Sequence, residues 1–171
     1  MRPIGTKKAF TLVEIMIVVL ILGILGAISL PAFSNAALEA RLSILRDDLR
    51  ILRTQVAVFR SQHRGVAAGY PGCDITAQPT EASLIEYMTQ LSDAYGQTAP
   101  LGTAGFHYGP YLREMPPNPI NRKTAVQVIG SAQPFPAAAD DSHGWIYKPA
   151  TLEFRADCLG NDDSGRPYFE Y

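Results

Sequence analysis

The chain has 171 residues, of which 47% are apolar and 18% charged, too apolar for a disordered chain and long enough for one domain of roughly a hundred residues with an appendage. Its net charge of −1 hides an uneven distribution: the first 64 residues carry nine Lys or Arg against four acids, and the remaining 107 carry six against twelve. An acidic C-terminal part argues against nucleic acid as a main partner, and Cys73 and Cys158 are too far apart in sequence for a zinc or thioredoxin-type motif.

Residues 1–9 hold Arg2, Lys7 and Lys8 with no acid, and from Phe10 to Phe33 the chain reads FTLVEIMIVVLILGILGAISLPAF, with Glu14 as its one charge. As a helix this run rises about 36 Å, enough for a hydrocarbon core of about 30 Å. A removed secretory signal would have an apolar region of only about 7–15 residues. Ser34-Asn35-Ala36 offers a possible cleavage site for one, but the length favours an anchor. The basic residues ahead of the run place the N-terminus in the cytoplasm, although Arg41, Arg46 and Arg50 follow closely enough to blunt that rule. The cysteines favour an oxidising compartment for the rest of the chain.

Glu14 has two readings. A carboxylate in a membrane helix costs up to about 3 kcal/mol at the bilayer centre and less near the interface, so Glu14 can snorkel to the headgroups. Alternatively, a cut after Ala9 removes Lys7 and Lys8 and creates an ammonium at Phe10, which Glu14 of another subunit can neutralise in a low-dielectric setting.

Beyond Pro31, Leu38, Leu42, Leu45, Leu49, Leu52, Val56 and Phe59 recur at spacings of three and four, with arginines between them. This is an amphipathic helix ending near Gly65, packed on its own head. Its outward arginines are either solvated or face acidic neighbours. Next, Thr80 caps a helix carrying Leu84, Met88, Leu91 and Tyr95, stopped by Gly96. Residues 97–120 are too rich in Gly and Pro for more than one short turn. Residues 124–129, 144–148 and 152–156 read as three strands, the last two forming a hairpin. The expected fold is α+β, a long N-terminal helix packed on a small antiparallel three-stranded head.

The segment KKAFTLVEIMIVVLILGILGAISLP resembles the class III signal and N-terminal helix of type IV pilins and type II secretion pseudopilins. The resemblance implies a prepilin peptidase that cuts between Ala9 and Phe10 and methylates the new amine. Glu14 becomes the assembly glutamate, and Pro31 the proline where the helix kinks or melts. Ala9 departs from the usual glycine. The chain then divides into a leader (1–9), a hydrophobic polymerisation helix (10–34), an amphipathic half (35–64) and a globular head (65–171). GPYLREMPPNPINRKTAV, GWIYKPATLEFRA and the DDSGRPYFEY tail resemble the C-terminal part of major pseudopilins. The implied partners are copies of the chain in a helical filament, other pseudopilins and the inner-membrane secretion platform. The implied location is a single pass through the inner membrane with the head in the periplasm.

Other candidate sites are sparse. His63, His107 and His143 belong to no catalytic pattern, so no enzymatic activity is expected. Asp157, Asn161, Asp162 and Asp163 offer hard oxygen ligands. A solvated acidic turn is the first reading, and calcium, which the resemblance to major pseudopilins implies, is the second, with carbonyls between Gly105 and Asn121 completing the shell. Cys73 and Cys158 are expected to form a disulfide worth on the order of 4 kcal/mol in the chain-entropy model, with two free thiols as the alternative.

Overall fold

The computed structural model describes residues 10–171, without the side chains of 28–35; the leader with Ala9, and the Pro31 side chain, lie outside the described residues. Helix α1 spans Leu12–Gln62. Two compact units are present, residues up to Ala40 and Arg41–Tyr171.

In the second unit, the three-and-four spacing of α1 forms a buried seam. Leu42, Leu45, Leu49, Leu52, Val56 and Phe59 are each at most 1% exposed, and burial of each such side chain contributes roughly 1.5–3 kcal/mol. The helix stops where the backbone turns left-handed at Arg64 and Gly65 (φ 58° and 83°). There the Gly65 N–H returns to the Arg60 carbonyl at 3.0 Å, satisfying a C-terminal acceptor that would otherwise be orphaned.

Helix α2, Glu81–Thr89, starts as expected: Thr80 Oγ1 accepts the Ser83 N–H at 3.2 Å. It ends earlier than its apolar pattern suggested. Leu91–Ser92 (β1), in the stretch expected to be helix, pairs antiparallel with Thr98–Ala99 (β2), in the segment 97–120 expected to lack regular structure. Asp93 causes the difference, because its Oδ1 accepts the N–H groups of both Tyr95 and Gln97 at 2.9 Å and closes a turn completed by Gly96 (φ 82°). Tyr95 is therefore exposed instead of lying on a helix face.

The main sheet contains β3 (Val126–Val128), β4 (Trp145–Lys148) and β5 (Glu153–Ala156) in that order. The expected hairpin is present, with β4 antiparallel to β5 and Tyr147 opposite Phe154. The expectation of a wholly antiparallel sheet is corrected, since β3 runs parallel to β4 with Val126 beside Trp145. The long connection between them lets the chain cross over and re-enter in the same direction, which a tight turn cannot do. Gly144 makes the re-entry possible: a Cβ there would collide with the Lys123 carbonyl.

Trp145, Tyr147 and Phe154 share one face of the sheet and join the α1 seam, Leu84 and Met88 in one core. Ile146, on the opposite face, meets Ile129 and Phe169 in a second cluster. The head is α+β, a helix laid across a small sheet.

Candidate functional site: the apolar N-terminal helix and the acidic tail

The start of α1 is set by a Thr-x-x-Glu pattern. The Glu14 N–H donates to Thr11 Oγ1 at 3.2 Å and to the Thr11 carbonyl at 3.1 Å, so Thr11 caps the helix. Thr11 was not singled out in the sequence, although its spacing from Glu14 is a cap signature. Glu14 then lies in the first turn, where the helix dipole favours a negative charge.

From Leu12 to Leu25 the apolar side chains are exposed on every side of the helix, between 47% for Val18 and 76% for Leu12. A helix that is apolar all round needs apolar surroundings, lipid or other helices, because water leaves no favourable side. Among the described residues no helix is long and apolar enough to cross a membrane. Residues 28–33, ISLPAF, continue the apolar run in the sequence, but the side chains there are not described.

The arginines of the amphipathic half divide into those that hold the head and those that face outward. Arg53 donates from Nε and Nη2 to the Phe154 carbonyl, and Arg60 Nε donates to the Gly65 carbonyl at 3.0 Å. Arg46 donates to the Tyr171 hydroxyl at 2.9 Å and sits over its ring, while Arg50 pairs with Asp47 at 3.1 Å. Arg41 is exposed.

The proposed tail ligands do not converge. Asp157 is fully buried, and its carboxylate accepts the N–H groups of Asp140, Asp141 and His143 at 2.9, 3.1 and 2.8 Å. Asp162 belongs to another network: it accepts from Ser164, from the Arg166 N–H and, at 2.7 Å, from the Tyr171 hydroxyl. The Ser164 side chain, then the Tyr171 hydroxyl and the Arg166 N–H, hold its carboxyl well below the usual carboxylate range. Asn161 and Asp163 are exposed. Among the described residues no group of three His, Cys, Asp or Glu side chains could hold a metal ion. The two best-placed carboxylates, Asp157 and Asp162, are committed to separate loop hydrogen bonds.

Cys73 and Cys158 are free thiols in the structure. Cys73 packs against Gly96 while its N–H donates to the Tyr87 hydroxyl at 3.1 Å. Cys158 is buried in the core beside Asn118. Their places are fixed by different elements, and burial pushes both thiols up, Cys158 to about 11. Of the histidines, His63 is fully buried, with both ring nitrogens in hydrogen bonds. His143 Nδ1 is 2.7 Å from Ser142 Oγ, and His107 is exposed.

Residues 5–30, which contain Thr11 and Glu14, match the prokaryotic N-terminal methylation motif. The chain is 34% identical over 94 residues to a fimbrial protein of Moraxella nonliquefaciens, a match covering 52% of this chain and 61% of that one. It is 31% identical over 90 residues to prepilin peptidase-dependent protein D of Escherichia coli K12, covering 53% and 60% respectively. It is 40% identical over 50 residues to the type IV major fimbrial protein FimA of Dichelobacter nodosus, covering 29% and 32%. The chain spans about three fifths of the length of the first two relatives. No solved structure matches it significantly.

Proposed function

We propose, from the premise that this chain belongs to the type IV pilin and pseudopilin family, that it is a non-enzymatic structural subunit polymerising through α1 into the periplasmic pseudopilus of a type II secretion system. The observation that carries this reading is the first half of α1, apolar on every side with one carboxylate in its first turn. Such a surface is satisfied first by lipid and then, in a filament, by the same helices of other copies. A prepilin peptidase cutting between Ala9 and Phe10 releases the amine that Glu14 of a neighbouring subunit neutralises. The head faces the periplasm from a single inner-membrane pass, and the filament grows on an inner-membrane platform with other pseudopilins, pushing folded exoproteins outward.

The order of the head supports the pseudopilin over the adhesive subunit: the spine helix is followed by short α2, a Pro-rich stretch and a three-stranded sheet. The fimbrial proteins among its relatives favour a second reading, a subunit of a surface type IV pilus. Deleting the gene and measuring both exoprotein secretion and sheared surface filaments separates the two. Lost secretion without loss of surface filaments supports the pseudopilin. Surface filaments that contain this chain, with secretion intact, support the pilus.

A further inference from the structure

The part of α1 that carries the head has a second apolar stripe. Its seam from Leu42 to Phe59 is buried, but Ile44 and Ile51, which lie off that seam, are 51% and 44% exposed. They stand seven residues apart, and the half-buried Val58 continues the spacing. An apolar side chain at every seventh position forms a line along which a second helix can pack.

Opposite charges border this stripe on its two sides. Asp48, four residues after Ile44 and three before Ile51, lies on one edge; Asp47 and Arg50, three and six residues after Ile44, lie on the other. Asp48 is half-buried, and it takes part in no hydrogen bond or ion pair among the described residues. Burial, and then the neighbouring Asp47 carboxylate, raises its carboxyl above the ordinary range. Arg50 is held only at the surface, 3.1 Å from an Asp47 carboxylate that is itself 60% exposed, so its remaining donors can take a second carboxylate at little cost.

We propose that this stripe is an interface between copies of the chain, in which parallel α1 helices pack one heptad out of step and Arg50 of one copy pairs with Asp48 of the next. The proposal rests on the reading of the chain as a polymerising subunit, because a common membrane anchor gives every copy the same direction. The charges choose the offset. Helices packed along such a stripe bring a residue six places after one apolar position opposite the residue five places further on in the partner. In step, Arg50 would therefore face Gln55, and Ser43 would face Asp48, leaving both charges unpaired. A shift of seven residues, about 10.5 Å along the helix, sets Arg50 against Asp48 and keeps the apolar line continuous, with Ile51 of one copy against Ile44 of the next. The two partners use different edges of the stripe, so each copy retains an Arg50 or an Asp48 for a further neighbour. A contact of that kind does not close on itself in a pair, and its repetition builds an open filament.

The test uses the full-length chain in cells that assemble it, with filaments collected by sedimentation and treated with a short thiol cross-linker. Ile44→Cys/Ile51→Cys should give a ladder of cross-linked multimers, while Ile44→Cys alone, Ile51→Cys alone and wild type, with its native thiols, should stay monomeric on a denaturing gel. Dimers from either single variant would mean that the helices lie in step, and sedimenting filaments in which the double variant forms no ladder would place the contact elsewhere; either result overturns the interface but leaves the polymerising reading standing. A wild-type chain that never sediments as filaments would overturn both. The ion pair is tested separately by charge exchange. Asp48→Arg should lower filament yield severalfold and Asp48→Arg/Arg50→Asp should restore most of it, since both positions lie on the surface and the head keeps its core. An exchanged pair that assembles no better than Asp48→Arg alone would overturn the pairing.

Discussion

Arg53 Nε and Nη2 both donate to the carbonyl oxygen of Phe154, at 3.0 and 2.7 Å, fastening the middle of α1 to the last strand of the sheet. In the sequence Arg53 is one arginine among several on an amphipathic helix. In the head it occupies two donors on an edge-strand carbonyl and a third contact on the Tyr171 carbonyl. Arg53→Ala should lower stability by about 1.5–3 kcal/mol, the range for hydrogen bonds to a charged group. Arg53→Lys should recover only part of it, because an ammonium lacks the planar fork. Urea unfolding of the two variants measures both, and an unchanged midpoint for the alanine variant would remove the fastening role.

Tyr147 is fully buried, and its hydroxyl has no hydrogen-bond partner among the described residues. Its ring packs on Phe154, with centroids 5.1 Å apart, so the apolar part accounts for its place in the core. Removing an unpartnered buried hydroxyl relieves a desolvation cost of about 1–3 kcal/mol. Tyr147→Phe is therefore expected to match or exceed wild-type stability in thermal unfolding. A loss above about 1 kcal/mol would reveal a partner for that hydroxyl.

The free thiols make a chemical prediction. Denatured, unreduced protein should take up two alkyl groups, at Cys73 and Cys158. In native protein near neutral pH both should react slowly, since burial raises both thiols and keeps them protonated, and Cys158 should be the slower because it is buried while Cys73 is partly exposed. Mass spectrometry that found no alkylation after denaturation would restore the disulfide.

Asp162 organises the tail through its charge. Its carboxyl is depressed in the folded state by the Ser164 side chain, the Tyr171 hydroxyl and the Arg166 N–H. Its contribution is thus present above the unfolded value of about 3.9 and is lost as pH falls through the lower folded value. Asp162→Asn should loosen residues 161–168 at neutral pH, seen as faster exchange of the Ser164 and Arg166 amides. Because Asp157 and Asp162 are committed to separate loops, the full chain should melt at the same temperature in calcium and in chelator. A calcium-dependent rise in Tm would show that the tail can rearrange around the ion.

Processing and assembly test the N-terminal helix. The mature protein should begin at Phe10 and carry one methyl group by mass spectrometry, and Met1 retained at the terminus would count against it. Glu14→Ala should insert into membranes as well as wild type, since it removes a polar cost, yet should assemble poorly. Normal filament formation by that variant would leave only the snorkelling reading.

The sequence by itself determined the features that depend on near neighbours along the chain. The apolar run after Phe10, the three-and-four seam from Leu42 to Phe59, the Thr80 cap and the β4–β5 hairpin all arise from local periodicity or a local turn. A residue's own helix or strand fixes which way it faces, so such patterns are legible without a structure. Tertiary structure decided what depends on distant partners. It set β3 parallel to β4, because direction in a sheet depends on how the connection crosses over. It separated Asp157 from Asp162 by giving each carboxylate its own loop amides, and it placed Cys73 and Cys158 in different surroundings, where spacing along the chain carries no distance. It also placed His63 against Phe59 and Ser92, turning an isolated histidine in the sequence into a buried contact between α1 and β1.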